Sequence, residues 1–315
     1  MSNKKNLLDQ NKDEVKAWWN SKDIKKWASK VYDPNSPSYH HLEERRIRTL
    51  NFFKSISQNQ KLNVFEYGFG GAVLAKDILN QGHKYTGVDI SEFLVKNAKK
   101  NNQKFIQKKK AKFFQGSLDD IQIVPAKSVD VVIICGAIQY SSDYHKTLTE
   151  IKRILKKNGY FILSQGNMFC LNEMLNYRYF LKSLIWYLTD EHFQYSYSLS
   201  FKDIIFETKL SKYFKKYENN KFMKSKFMNS ESNIWKYKIH KRLLSYGRCK
   251  KLLEDYGFKI LKTYSGPFLL YTSTKKDFLK KVSDEFLKFL CFLKIPVLKR
   301  FADNQLFLAK NNIIN

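Results

Sequence analysis

Between Val64 and Ala72 the chain reads Val-Phe-Glu-Tyr-Gly-Phe-Gly-Gly-Ala, an apolar run that ends in the carboxylate of Glu66 and leaves through Gly68, Gly70 and Gly71. Residues of these types suit ligand binding. Glycines let the main chain turn sharply and leave room for a ligand to approach backbone N–H groups at a helix N-terminus. The dinucleotide spacing G-x-G-x-x-G is not met, because the last glycine position, counted from Gly68, is Val73. Nor does the chain hold a G-x-x-x-x-G-K-[ST] stretch for a nucleoside triphosphate. The four cysteines, Cys135, Cys170, Cys249 and Cys291, form no CxxC pair and have no cluster of histidines beside them. Neither a disulfide framework nor a zinc site is expected, and a reducing compartment fits best.

The glycine turn needs a scaffold, and the apolar pattern supplies an α/β one. Leu62 to Tyr67 reads as a first strand, Ala72 to Gln81 as a helix closed by Gly82, and Tyr85 to Asp89 as a second strand. Ser91 can cap the next helix, Ala111 to Gln115 makes a third strand, and Val129 to Cys135 a fourth, apolar but for Asp130 at its entry. A helix is expected from Asp143 to Lys157, with Leu148, Ile151 and Leu155 on one face, ended by Asn158-Gly159 ahead of a strand from Tyr160 to Ser164. The alternation resumes with a helix from Cys249 to Tyr256 and strands at Phe258 to Tyr264 and Gln305 to Ala309. Around this core the division is a helical cap over residues 1–58, a core over 59–166, an aromatic, lysine-rich helical insertion over 167–245, and over 246–315 the completion of the sheet with a second insertion. The cap carries Trp18, Trp19, Trp27, Leu42, Leu50 and Phe53 at roughly helical spacing, broken at Asp33-Pro34-Asn35-Ser36-Pro37.

The stretch from Glu66 to Ala72 resembles the first signature of the class I S-adenosylmethionine-dependent methyltransferases, an acid followed by G-x-G-x-G, with Ala72 in place of the third glycine. The resemblance continues in order. Tyr85 to Ser91 is similar to the second strand with its terminal acid, Phe114 to Asp120 to the adenine-side loop, and Leu148 to Gly159 to the helix and turn before strand five. Tyr256-Gly257-Phe258 resembles a later segment of the same family. The resemblance implies a Rossmann-like seven-stranded sheet whose cap and two helical insertions form a lid, with S-adenosylmethionine as cofactor. It assigns Asp89 to the ribose hydroxyls and Ile90 to one adenine face. Ser117 and the Leu118 backbone fall to the adenine edge, although many members carry an acid at the position of Ser117. Glu66 and the Gly68-Phe69-Gly70 backbone, with Cys135 and Gly136, fall to the methionine end. Many small-molecule members have a histidine after strand four where this chain has Gly136-Ala137-Ile138-Gln139-Tyr140, so no base carries over. Tyr140, His40, His41 and His192 are the candidates by location or chemistry.

The formal net charge is +28, and 49 of the 57 basic residues are Lys, spread along the chain rather than gathered in an arm. That distribution is read mainly as solvated surface, with an anionic partner as the alternative. The function expected is methyl transfer to oxygen or nitrogen of a small-molecule or lipid-linked, anionic acceptor. An RNA or DNA methyltransferase is the alternative suggested by the charge, although the Asp/Asn-Pro-Pro-aromatic and Pro-Cys sequences are absent after strand four. A silent cofactor-binding scaffold is the alternative suggested by the missing histidine. With no signal peptide or spanning run read from the sequence, a cytoplasmic location is expected. Asp284 to Phe301 has the composition of either a buried lid helix or an interfacial helix touching anionic lipid.

Overall fold

The computed structural model describes residues 12–22, 24–25, 28, 39–118, 122–141, 143–170, 184, 195–196, 240–241, 243–266 and 298–312. Trp27, the proline-containing break, His192 and most of the two insertions lie outside the described residues, as do all but the last few positions of Asp284 to Phe301.

Seven strands form one sheet: β1 (Asn63–Tyr67), β2 (Lys84–Asp89), β3 (Ala111–Gln115), β4 (Val129–Cys135), β5 (Leu155–Gly166), β6 (Phe258–Ser265) and β7 (Asn304–Asn311). Their order across the sheet is β3-β2-β1-β4-β5-β7-β6. All pairings from β3 to β5 are parallel, whereas β7 runs antiparallel to both β5 and β6. The central strands are apolar because both faces are covered, and from Val131 to Ile134 in β4 every residue is fully buried.

Among the described residues the sheet is covered by α1 (Tyr39–Ile56), α2 (Val73–Asn80), α3 (Glu92–Asn101), the short α4 (Gln103–Gln107), α5 (Tyr144–Ile154) and α6 (Tyr246–Asp255). α2 and α3 pack Leu74, Ala75, Ile78, Leu94 and Val95 on the face that carries Val64, Val131 and Ile133. α5 and α6 pack Leu148, Ile151 and Leu253 on the face of Phe65, Val132 and Ile134. Side-chain caps start three of these helices: Ser91 accepts from Leu94 N, Asp143 from His145 N and Lys146 N, and Ser245 from Arg248 N.

The helix expected to reach Lys157 stops at Ile154. Leu155 instead joins the sheet opposite Val129, and the next pair is Val131 with Tyr160, so residues 156–159 bulge from β5. Asn158 turns the bulge at φ +63°. Leu155 is buried in either arrangement, and ladder hydrogen bonds prevail over helical spacing there.

Residues 12–19 are helical, and the following residues reach back to the core. Ser91 Oγ donates to the Trp19 carbonyl at 2.6 Å, and Asn20 Oδ1 accepts from Phe93 N at 3.4 Å. α1 is pinned by Arg46 to Asp77 of α2 and by the Tyr264 hydroxyl, which donates to Glu44 at 2.8 Å. Among the described residues no helix is long and apolar enough to cross a membrane.

Candidate functional site

In the strand order above, β1 and β4 are neighbours whose chains continue toward opposite edges of the sheet, which opens a crevice beyond their carboxyl ends. A cavity of about 230 Å³ lies there. Its wall contains Glu66, Gly68, Phe69, Gly70, Asp89, Ile90, Ser117, Leu118, Cys135 and Gly136, together with Tyr140. All ten residues that the resemblance assigns to the cofactor are therefore brought to one crevice.

The turn leaving β1 is shaped by backbone requirements. Gly68 has φ +68°, and a Cβ on it would collide with the Ala137 methyl group; its N–H is tied to the Val88 carbonyl at 2.8 Å. Ala72, standing where the family has glycine, takes φ +54° just ahead of α2.

Two buried carboxylates flank this turn. Asp89 accepts from Gly70 N at 3.0 Å through one oxygen and from Ser91 N at 2.9 Å through the other. Burial nevertheless pushes its carboxyl up to about 6, against the downward pull of the hydrogen bonds from the Ser91, Gly70 and Ile90 backbone. Its two oxygens offer about four acceptor positions, so three backbone N–H bonds leave one for a hydroxyl of a bound ligand. Glu66 accepts from the Tyr85 hydroxyl at 2.6 Å. Burial pushes it up to about 7, with the Tyr85 hydrogen bond opposing that rise and neighbouring Asp89 adding to it.

Glu66 thus opposes folding once ionised. Its folded-state value lies above the ordinary 4.5, so the stability it contributes at acid pH is lost as pH rises toward about 7, an effect of about 3 kcal/mol. Glu66→Gln is expected to fold normally and to lose about 2–3 kcal/mol less than the parent between pH 5 and pH 8 in urea unfolding. An unchanged pH dependence would contradict the assignment.

Cys135 sits at the end of β4 with Thr49 Oγ1 at 3.4 Å, and burial pushes its thiol up to about 11, so no thiolate nucleophile is present near neutral pH. Tyr140 lies on the 3₁₀ turn Ile138–Tyr140, with the Trp19 ring edge-on at 5.9 Å. His40 and His41 fall in the first turn of α1, but their side chains lie outside the described residues. Among the described residues no group of three or more His, Cys, Asp or Glu could hold a metal.

The cap supplies walls that were not among the expected site residues: Lys12, Val15, Arg45 and Arg46, beside Trp19 and Leu42, which the sequence shows only as part of the cap's helical pattern. A usable signal existed, since three of only eight arginines fall at positions 45, 46 and 48 of a lysine-dominated chain. From the core, Tyr67 and Gln139 were likewise passed over.

Residues 65–163 match a family profile described as a methyltransferase domain. No curated protein matches the chain. Among solved structures, one similar chain comes from the complex between the Haloferax volcanii Trm112 methyltransferase activator and a methyltransferase: 16% identity, TM-score 0.52, covering 93% of this chain and 97% of that one. An S-adenosylmethionine-dependent methyltransferase from Listeria monocytogenes has 15% identity and TM-score 0.53, covering 86% of this chain and 100% of that one. Burkholderia thailandensis 1,6-didemethyltoxoflavin-N1-methyltransferase, with bound 1,6-didemethyltoxoflavin and S-adenosylhomocysteine, has 12% identity and TM-score 0.51, covering 92% and 87%. These structures share the fold, and the profile covers the strands and turns that build much of the crevice, so residues 65–163 match a methyltransferase domain.

Proposed function

We propose that the crevice holds the methyl donor with its ribose on Asp89 and its methionine end between Glu66, the Gly68–Gly70 backbone and Cys135-Gly136. The observation that carries this reading is the pair of buried carboxylates at the ends of adjacent parallel strands, one of them with acceptor capacity left beyond its backbone partners. Ile90 would cover the adenine, and Ser117 with the Leu118 N–H would meet its edge. When bound, the sulfonium supplies an electrophilic methyl group. The protein's own task is to align an acceptor with it and to exclude water.

The acceptor is read as a small-molecule or lipid-linked metabolite with a planar body and a negative group, methylated at oxygen or nitrogen. Trp19 and Tyr140 supply aromatic walls, and Lys12 adds a cation. Tyr140 is the candidate for proton removal by its position in the crevice wall; His40 and His41 stay candidates by chemistry alone. The location favoured is cytoplasmic, in keeping with free thiols at Cys135, Cys170 and Cys249, and contact with anionic membrane is a secondary reading resting on composition.

Incubation with methyl-labelled S-adenosylmethionine and fractionated cell extract tests the reading. Label is expected in the small-metabolite or lipid fraction. Label confined to nucleic acid, or no transfer into any fraction, would overturn it.

A further inference from the structure

From Phe93 to Leu118 the chain carries eight lysines, at positions 96, 99, 100, 104, 108, 109, 110 and 112, and no acidic residue or arginine. All eight are exposed. Lys96 pairs with Glu92, and among the described residues no carboxylate lies within ion-pair distance of the other seven. The fold gathers them at one corner, where α3 and α4 pack against β3, the edge strand of the sheet. Lys108, Lys109 and Lys110 make the turn into β3, and exposed Lys84 joins them from the start of β2, where Tyr85 N–H donates to the Lys110 carbonyl at 2.9 Å. None of these lysines lines the crevice. The crevice lies beyond the carboxyl ends of the strands and the lysine turn at their amino ends, so one strand length, about 17 Å, separates the two.

Structural duties account for only some of these charges. Lys112 blunts an edge strand against pairing with another chain, and Lys99 and Lys100 complement the carbonyl end of α3. Lys84, Lys104, Lys108, Lys109 and Lys110 crowd together with no such duty, and like charges held close repel until an anionic surface meets them. Lysine presents compact charges on flexible stems and lacks the planar fork with which arginine reads phosphates and base edges. Phe114 stands on the same face of β3 as Lys112, two residues on, and among the described residues it is the one exposed Phe, Tyr or Trp ring. A nucleic-acid strand calls for several stacking rings along a basic groove, whereas lysines beside one apolar ring at an open edge suit a fluid layer of anionic headgroups. We propose that the β3 corner docks the protein on an anionic lipid surface, with Lys84, Lys104, Lys108, Lys109, Lys110 and Lys112 on the headgroups and Phe114 at their boundary with the acyl chains. The inference gives a surface to the membrane contact read above from composition, on residues other than Asp284 to Phe301, and it rests on nothing in the crevice.

The test sediments the full chain with vesicles of phosphatidylcholine alone and of phosphatidylcholine with about one-third phosphatidylserine, at about 0.1 M and about 1 M salt. One variant combines Lys108→Gln, Lys109→Gln, Lys110→Gln and Lys112→Gln. A control combines Lys146→Gln, Lys157→Gln, Lys259→Gln and Lys262→Gln, which removes the same charge from exposed lysines of α5, β5 and β6. Thermal melting checks that both fold. The parent should bind the phosphatidylserine vesicles alone and leave them at the higher salt. The β3 variant should bind at least about 50-fold more weakly, since each lysine near the surface contributes about fivefold, and the control should stay within about threefold of the parent. Equal weakening of the two variants overturns the proposal in favour of undirected net charge. A parent that ignores the vesicles overturns it outright, and if a mixed-sequence RNA oligomer is then held by the parent and released by the β3 variant, the corner belongs to nucleic acid. Titration of the same proteins with S-adenosylhomocysteine tests the donor reading separately, so either reading can fail without the other.

Discussion

Asp89→Ala is expected to weaken S-adenosylhomocysteine binding by about 10- to 100-fold, because a hydrogen bond from the sugar to a charged group, worth about 1.5–3 kcal/mol, disappears. The same carboxylate staples the turn after β1 to the start of α3 through Gly70 N and Ser91 N, so the site should loosen as well as lose contacts. Asp89→Asn should behave like the alanine variant despite its shape. Both carboxylate oxygens already accept a backbone N–H, and either orientation of an asparagine amide sets its NH₂ against one of those donors. Calorimetry and thermal melting of both variants check this. An asparagine variant that binds within about threefold of the parent would show that Asp89 does not hold the sugar.

Gly68→Ala should be the most damaging single methyl group in the core domain. It forces an L-residue into φ +68° and drives its Cβ into the methyl group of Ala137. The left-handed backbone costs about 1–2 kcal/mol and the overpacking about 1–3 kcal/mol. Removing the struck atom separates the two effects: Gly68→Ala with Ala137→Gly should regain the steric part and keep the backbone part. Denaturant unfolding of the two single variants and the double variant measures this. Strictly additive losses would mean that the two positions do not touch.

Much of the crevice was legible in the sequence because of how parallel strands are built. β1, β2 and β4 are buried on both faces, so they read as short apolar runs, and the chain leaves each through a residue with a backbone or charge requirement: Gly68, Asp89, Gly136. Leu155 was misread because its spacing from Ile151 continues a helical stripe; only pairing with Val129 distinguishes strand from helix there, and that partner is distant in sequence. Arg45 was hidden for a related reason. On an isolated helix it looks like its neighbours Arg46 and Arg48, and what separates them is where α1 docks: one arginine meets Asp77, another the Tyr264 ring, and the third Gly136.

The antiparallel strand β7, seated between β5 and β6, has a consequence for synthesis. Its residues follow the end of β5 by about 140 positions, yet they form an interior strand of the sheet, one place from its edge. At about 5–20 residues per second, a ribosome leaves the outer edge of β5 without β7 for roughly 7–30 s while the parallel half of the sheet is already complete. Nascent chains should engage holdase chaperones during that interval, and release from them should follow emergence of Asn304–Asn311 rather than of the glycine turn.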